Sequence, residues 1–590
     1  MLGKIVEMEA NRVAVATDLE FHELEDLIGK YVSMKSGIRN IIGEIMNVRK
    51  SFILINLLGE VKDDEFIFGI IQKPSFSSKV FLLDDKMTKK IIGISNYEER
   101  KHLYIGKSLI YDKIPVGFHI NHFFNGHIAI FGSTGSGKSC GVANIFQKLF
   151  EKKKEIPYQA SIFMFDAYGE YHNAFKELNK KVPEINFKSY TTDLKNSSIE
   201  TLKIPLWLLK SDDIALLLGA EKHTQLPLIE KALKLVTVFS LHDVDHVKIK
   251  NDIIARAILD ILSRGGQSAQ IRDQIFSVLS YYKTDELNLD TIIHQPGYDR
   301  TLKQCLLIDS TGKIREMELV MNFMRRFLTN DYELSLPDGS FSYTLNDLKD
   351  AFDFALISEG ILNSDKVYDE MNILKVRLNT LLNSDYSVFF DYPGYITEED
   401  YIRLLLTAKN GKKAQIVNFN INYIDDRLAK NITKIFSRML FDFSKNMDHR
   451  ASMPFHIMLE EAHRYVQNDN DKFLLGYNIF ERISKEGRKY GVLLGLISQR
   501  PSELSETCLS QCNNFIIFKM LHPTDIRYVR ELIPNITEDV VKQIKILQPG
   551  TCMVFGTAFK LPILVKMDMP NPAPSSGSTD IESTWFITQE

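Results

Sequence analysis

Residues 132–139 read Gly-Ser-Thr-Gly-Ser-Gly-Lys-Ser, a complete G-x-x-x-x-G-K-[ST] phosphate loop. Gly132, Gly135 and Gly137 let the backbone fold tightly around an anion, with Thr134 and Ser136 between them. Backbone N–H groups and the dipole of a following helix would face the phosphates of a nucleotide such as ATP. Lys138 is expected to reach the β- and γ-phosphates, and the Ser139 hydroxyl to bind Mg2+. Cys140 continues the nucleotide-binding stretch into the helix. A phosphate loop alone only binds; hydrolysis needs a metal partner and a water activator.

The run Phe455-His-Ile-Met-Leu-Glu-Glu-Ala-His463 supplies both candidates. An apolar strand ends there in two adjacent carboxylates, at the edge where open α/β sheets bind ligands. Glu460 is placed to support Mg2+, usually through water. Glu461 points elsewhere and is the candidate to orient or deprotonate the attacking water. The plainer reading of the pair is a solvated acidic turn. Gln499, in Ile497-Ser-Gln-Arg500, is a candidate γ-phosphate sensor or else a loop cap. Asp166 and Glu170, in Asp166-Ala-Tyr-Gly-Glu-Tyr171, would lie beside the same cleft, serving the metal–water network or bracing the loop. Arg488, in Phe480-Glu-Arg-Ile-Ser-Lys-Glu-Gly-Arg-Lys-Tyr490, could stabilise charge on a transferring phosphoryl group, often from a neighbouring subunit. A solvated basic helix end is the alternative.

These residues need a frame. His127-Ile-Ala-Ile-Phe131 is apolar and of strand length, and Cys140–Phe150 has helical apolar spacing. Further near-continuous apolar strands alternate with helices: Ala160–Phe165, Ala414–Phe419, Phe455–Leu459, Gly491–Ile497, Asn514–Phe518 and Cys552–Phe555. That alternation indicates an α/β fold, with a parallel sheet covered on both faces. Residues 1–112 carry short apolar runs parted by turn residues and read as a small β-barrel. The resulting plan is an N-terminal barrel (1–112), the first part of a RecA-like P-loop ATPase core (113–200), a helical insertion (201–406), the second part of the core (407–570) and a flexible tail (571–590).

Length and composition set bounds. A chain of 590 residues exceeds one core, while 44% hydrophobic and 25% charged residues are ordinary for a soluble protein. A net charge of −4 advertises no bulk affinity for nucleic acid, although a basic ring lumen could hide inside that average. Ala408-Lys-Asn-Gly-Lys-Lys413 is a basic-loop candidate, a solvated turn being the plainer reading. The five cysteines are too sparse for a disulfide or zinc framework, so reduced thiols of a cytoplasmic protein are expected. No signal peptide or membrane span is expected.

Taken in this order, the pieces resemble the HerA family of hexameric DNA-translocating ATPases, within the wider HerA/FtsK group. The matching elements are the barrel, His127-x-x-Ile-x-Gly-x-Thr-Gly-Ser-Gly-Lys-Ser139, Asp166-x-x-Gly-Glu-Tyr171, Leu459-Glu-Glu-Ala-His463, Glu486-Gly-Arg-Lys-x-Gly491 and Ser498-Gln-Arg-Pro-Ser502. Glu460 stands where many such ATPases have aspartate, and the helical insertion finds no residue-by-residue match. The resemblance implies a homo-hexameric ring around double-stranded DNA, with ATP between subunits. Lys138, Ser139, Glu460 and Glu461 would act in cis and Arg488 across the interface. It also implies a separate effector on the barrel, such as a NurA-like nuclease or a sirtuin-like NAD hydrolase in anti-phage defence. The competing function is a nucleotide-regulated scaffold that activates such an effector with little translocation. A metabolic kinase fits poorly, having no need of barrel and insertion.

Overall fold

Alternating apolar residues in the N-terminal runs form β1 (Gly3–Met8), β2 (Arg12–Ala16), β3 (Tyr31–Ser36), β4 (Arg39–Arg49), β5 (Phe52–Lys62), β6 (Glu65–Phe68) and β7 (Lys79–Leu82). The computed structural model describes the chain except residues 21, 22, 25, 38, 50, 64, 93–100, 112, 113, 153, 154, 241–243, 264, 265, 330–333, 359–364, 533–537, 576–580, 582–584 and 586–590. Strands run in the order β2-β1-β7-β3-β4-β5, and β5 pairs back to β2, closing a six-stranded antiparallel barrel with β6 outside the ring. Val13, Val15, Val32, Met34, Ile41, Ile45, Ile53, Ile55 and Val80 fill it, on the inward face of each pleat. Two register shifts between β4 and β5 add the bend that closure requires.

The remaining strands are β8 (His102–Ser108), β9 (Pro115–His119), β10 (His127–Phe131), β11 (Ser161–Asp166), β12 (Phe187–Thr191), β13 (Glu200–Thr201), β14 (Ile292–Gln295), β15 (Tyr298–Thr301), β16 (Ile416–Asn420), β17 (Phe455–Glu460), β18 (Val492–Ser498), β19 (Cys512–Phe518), β20 (Thr551–Gly556) and β21 (Ile563–Met567). Among the described residues, twelve form one sheet in the order β13-β12-β16-β11-β17-β18-β10-β19-β20-β21-β8-β9. From β13 to β19 every pairing is parallel. β10, β11 and β18 are buried at every position, which is why their sequences lack alternation.

Four details depart from the sequence reading. β20 was grouped with the parallel strands but runs antiparallel to β19. The Gly550 N–H donates to Ser136 O of the phosphate loop (2.9 Å), so β20 starts at the loop's edge of the sheet and must run away from it. β8 falls inside the 1–112 segment yet pairs with β21 of the large sheet, not with the barrel; residues 112 and 113 at that boundary lie outside the described residues. Residues 571–575 are held, with Asn571 N–H donating to Gln147 Oε1 (2.8 Å) and Ser575 N–H to Glu170 O (3.0 Å). Most of the rest of the expected tail lies outside the described residues. The insertion also contains the β14–β15 hairpin.

The chain divides into two compact units, residues 1–201 with 402–469 and 478–590, and residues 202–401 with 470–477. The second is mainly helical, built on helices Gln225–Ser240, Val244–Ser263, Ser268–Tyr281, Leu345–Ser358 and Asp365–Leu382. Among the described residues no helix is long and apolar enough to cross a membrane.

Candidate functional site

β10 is buried at all five positions between β18 and β19, so its chain leaves the sheet at the C-terminal edge, where the phosphate loop begins. Both neighbours hold the loop: Gly132 N–H donates to Ser498 O (3.2 Å) and Ser133 N–H to Lys519 O (2.8 Å). Gly135 and Gly137 have φ of 73° and 96°, the left-handed region that side chains disfavour. A Cβ at Gly137 would also stand 2.7 Å from Gly550 N. Gly137 caps helix Lys138–Phe150 without a side-chain bond, leaving first-turn N–H groups that no helical carbonyl satisfies.

Lys138 is buried. Its Nζ lies 3.5 Å from Gly132 O and 3.6 Å from Glu461 Oε1. The strand order β17-β18-β10 makes this meeting possible across some 320 residues of sequence. Glu460 ends β17, and its Oε2 accepts the Ala167 N–H (3.1 Å) beyond neighbouring β11. Glu461 takes φ 48°, ψ 45°, a left-handed conformation that is unusual for a side-chain-bearing residue. Two consecutive carboxylates thereby serve different neighbours, Ala167 for one and Lys138 for the other.

Gln499 follows β18, and its Oε1 accepts a hydrogen bond from Thr134 Oγ1 (2.9 Å), tying the candidate sensor to the loop. Asp166 is a brace. Its Oδ1 accepts the Glu170 N–H (3.0 Å), and its Oδ2 accepts the Tyr171 N–H (3.0 Å) and Asn418 Nδ2 (3.3 Å). Glu170 faces the Ser139 hydroxyl. Burial raises its carboxyl pKa, the Ser139 hydrogen bond opposes that rise, and neighbouring Asp166 adds to it. Burial likewise pushes Glu460 well above the carboxylate range, reinforced by Asp166 and Glu170 and opposed by Lys138. Half-buried Cys140 has its thiol pushed up, first by burial and then by Glu170.

The fold thus gathers Thr134, Ser136, Lys138, Ser139, Glu170, Glu460, Glu461 and Gln499. It does not bring Arg488 to them. Arg488 is exposed at the end of helix Ile479–Tyr490, which leads into β18 from the opposite edge of the sheet. It is near enough to His127, at the start of β10, to help lower that imidazole's pKa to about 4, a shift led by burial. Sequence reasoning assigned nothing to His463 and Ser498, although both stand in the quoted motifs. His463 Nδ1 lies 3.2 Å from Glu461 Oε2 and 3.1 Å from Ser498 Oγ.

A triphosphate fits this chemistry. Ser136 Oγ is buried without a partner in the loop, beside an uncapped helix end and a buried lysine. A divalent cation fits the acidic side, where Asp166 raises the cost of charge on both Glu170 and Glu460, and Glu170 adds to that cost on Glu460, beside the Ser139 hydroxyl.

A family model described as the central domain of helicase HerA matches residues 103–440. The chain is 25% identical over 587 residues to a probable DNA double-strand break repair helicase HerA of Methanocaldococcus jannaschii, covering 97% of each. It is 25% identical over 521 residues to a probable helicase of the same organism, covering 87% of this chain and 75% of the relative. It is 25% identical over 499 residues to the DNA double-strand break repair helicase HerA of Saccharolobus solfataricus, covering 84% of this chain and 74% of the relative. Among solved structures, VirB4 of Thermoanaerobacter pseudethanolicus aligns with a TM-score of 0.40 at 13% identity, over 81% of this chain and 98% of that one.

Proposed function

The chain belongs to the HerA helicase family, and from that premise we propose that it is an ATP-hydrolysing motor that moves double-stranded DNA. The observation that carries the reading is the buried approach of Lys138 Nζ to Glu461 Oε1 at 3.6 Å, beside the Thr134–Gln499 hydrogen bond. It joins a phosphate grip, a water-directing carboxylate and a sensing amide at one sheet edge.

In this reading the loop from Gly132 to Ser139 binds the triphosphate through backbone N–H groups, and Lys138 neutralises the β- and γ-phosphates. Lys138 then exchanges its present contact with Glu461 for phosphate oxygens, freeing the carboxylate to orient the attacking water and accept its proton. Ser139 and Glu460 would hold Mg2+, which when bound would supply charge neutralisation to the phosphates. Glu170 orients the Ser139 hydroxyl, and Gln499 reports γ-phosphate occupancy to β18. Arg488 cannot serve its own subunit from the opposite sheet edge. It acts on a neighbour's nucleotide in a homo-hexameric ring, consistent with its exposure.

The barrel is the docking surface for a separate effector, a NurA-like nuclease or a sirtuin-like NAD hydrolase. The assembly works in the cytoplasm, in DNA end processing or anti-phage defence. The test is ATP turnover with and without duplex DNA over a range of salt. Strong stimulation that fades as salt rises is expected of a motor tracking phosphates. A flat response at every salt concentration would instead favour the nucleotide-regulated scaffold.

A further inference from the structure

His463 Nδ1 is hydrogen-bonded to Ser498 Oγ at 3.1 Å and lies 3.2 Å from Glu461 Oε2, a buried carboxylate oxygen that has no hydrogen bond. Burial lowers the pKa of this imidazole, partly opposed by Glu461 and Glu503, so the ring is neutral at neutral pH. A neutral imidazole carries one N–H, and a given ring nitrogen either donates or accepts. Ser498 Oγ already accepts the Arg500 N–H at 2.9 Å, and its own proton is left to give. Of two arrangements, the structure shows the first, in which a bare Nδ1 accepts from Ser498 and Glu461 Oε2 is a buried acceptor with no hydrogen bond. In the second arrangement Nδ1 carries the proton, a small turn of the ring or carboxylate lets it donate to Glu461 Oε2, and the serine hydroxyl must turn away. The two arrangements exclude each other.

The ends of this choice lead back to the loop. Glu461 Oε1 faces Lys138 Nζ (3.6 Å), and Gln499, next to Ser498, accepts from Thr134 Oγ1 (2.9 Å). Thr134, Gln499, Ser498, His463, Glu461 and Lys138 form a circuit that starts and finishes on the phosphate loop. We propose that His463 is a positioning residue, a two-state latch that either fixes the Glu461 carboxylate through Nδ1–H or releases it by accepting from Ser498. This rests on Glu461 being the group that orients the attacking water. The nucleotide's arrival, felt at Lys138 and Thr134, biases the latch toward the state in which the carboxylate is held for reaction.

The test compares the full-length protein with His463→Ala, His463→Asn and His463→Gln, measuring ATP turnover and, separately, binding of a fluorescent ATP analogue. An asparagine amide sits near the position of Nδ1, whereas a glutamine amide reaches that of Nε2. His463→Ala is expected to lower kcat about ten- to hundredfold while analogue Kd stays within about threefold. His463→Asn should recover most of the loss and His463→Gln little of it. Because the latch works through Ser498, combining Ser498→Ala with His463→Ala should cost no more than about twofold beyond His463→Ala alone. The latch is overturned by a wild-type kcat in His463→Ala, by equal behaviour of the Asn and Gln variants, by parallel loss of analogue binding, or by multiplicative loss in the double variant. A wild-type protein without Mg2+-dependent turnover overturns the hydrolysis reading itself, an outcome distinct from all four.

Discussion

Lys138 and Glu461 meet as a buried ion pair at 3.6 Å, and such pairs gain little net stability because desolvation offsets their attraction. In the proposed mechanism their value is chemical: each holds the other's charge where a phosphate and a water will need it. Lys138→Ala should therefore weaken ATP binding at least about tenfold, read by titration with a fluorescent analogue; unchanged affinity would remove Lys138 from the phosphate site. Glu461→Gln keeps the shape and loses the base, so it should bind ATP normally and turn over about a hundredfold more slowly or worse. Near-normal turnover in that variant would strip Glu461 of its assignment. The strand ends and loop that carry Lys138, Ser139, Glu460 and Glu461 were legible in sequence because each sits within a local strand–loop pattern. The alternatives at Asp166 and Glu170 were not separable there. Only the folded loop turns both Asp166 oxygens onto backbone N–H groups and leaves Glu170 to face Ser139.

The strand, loop and helix around residues 127–150 were readable as elements because neighbouring residues specify them. Gly137→Ala tests the loop. With φ at 96° and Gly550 N 2.7 Å from the added carbon, it should cost about 1–3 kcal/mol of stability and abolish analogue binding, whereas wild-type binding would mean the loop tolerates side chains there. Glu44, on β4, tests the barrel by pH. Burial raises its carboxyl to about 7, above an unfolded value of roughly 4.3. The fold therefore favours the protonated form, and ionisation erodes stability as pH rises from about 4 through 7. Glu44→Gln should match wild type near pH 4 and exceed it by up to about 3 kcal/mol at pH 8, measured by unfolding at both pH values. Equal stability at pH 8 would contradict the assigned burial. Strand pairing was the illegible part of these elements. The closure of β2 on β5, the reversed β20 and the meeting of β8 with β21 join residues up to about 460 positions apart, and no local spacing encodes that.

For the whole molecule, the decisive long-range fact is the insertion of β18 between β10 and β17. That order puts Ser498 and Gln499 between the loop and the acidic pair, which is why Gln499 was a guess in sequence and His463 carried no role. The same sheet sends Arg488 to the opposite edge, so the catalytic role proposed for it requires a second subunit. Mixing Arg488→Ala with Lys138→Ala protein should restore some ATP turnover that neither variant has alone, since some interfaces regain an intact lysine and an intact arginine; no recovery at any ratio contradicts a shared site. The position of a bound triphosphate decides whether Lys138 and the acidic pair form one site. A cryo-EM map of the Glu461→Gln protein with ATP and Mg2+ should place the γ-phosphate within about 3 Å of Lys138 Nζ, with residues 460 and 461 facing it from the end of β17. A γ-phosphate lying away from residues 460 and 461 would contradict it.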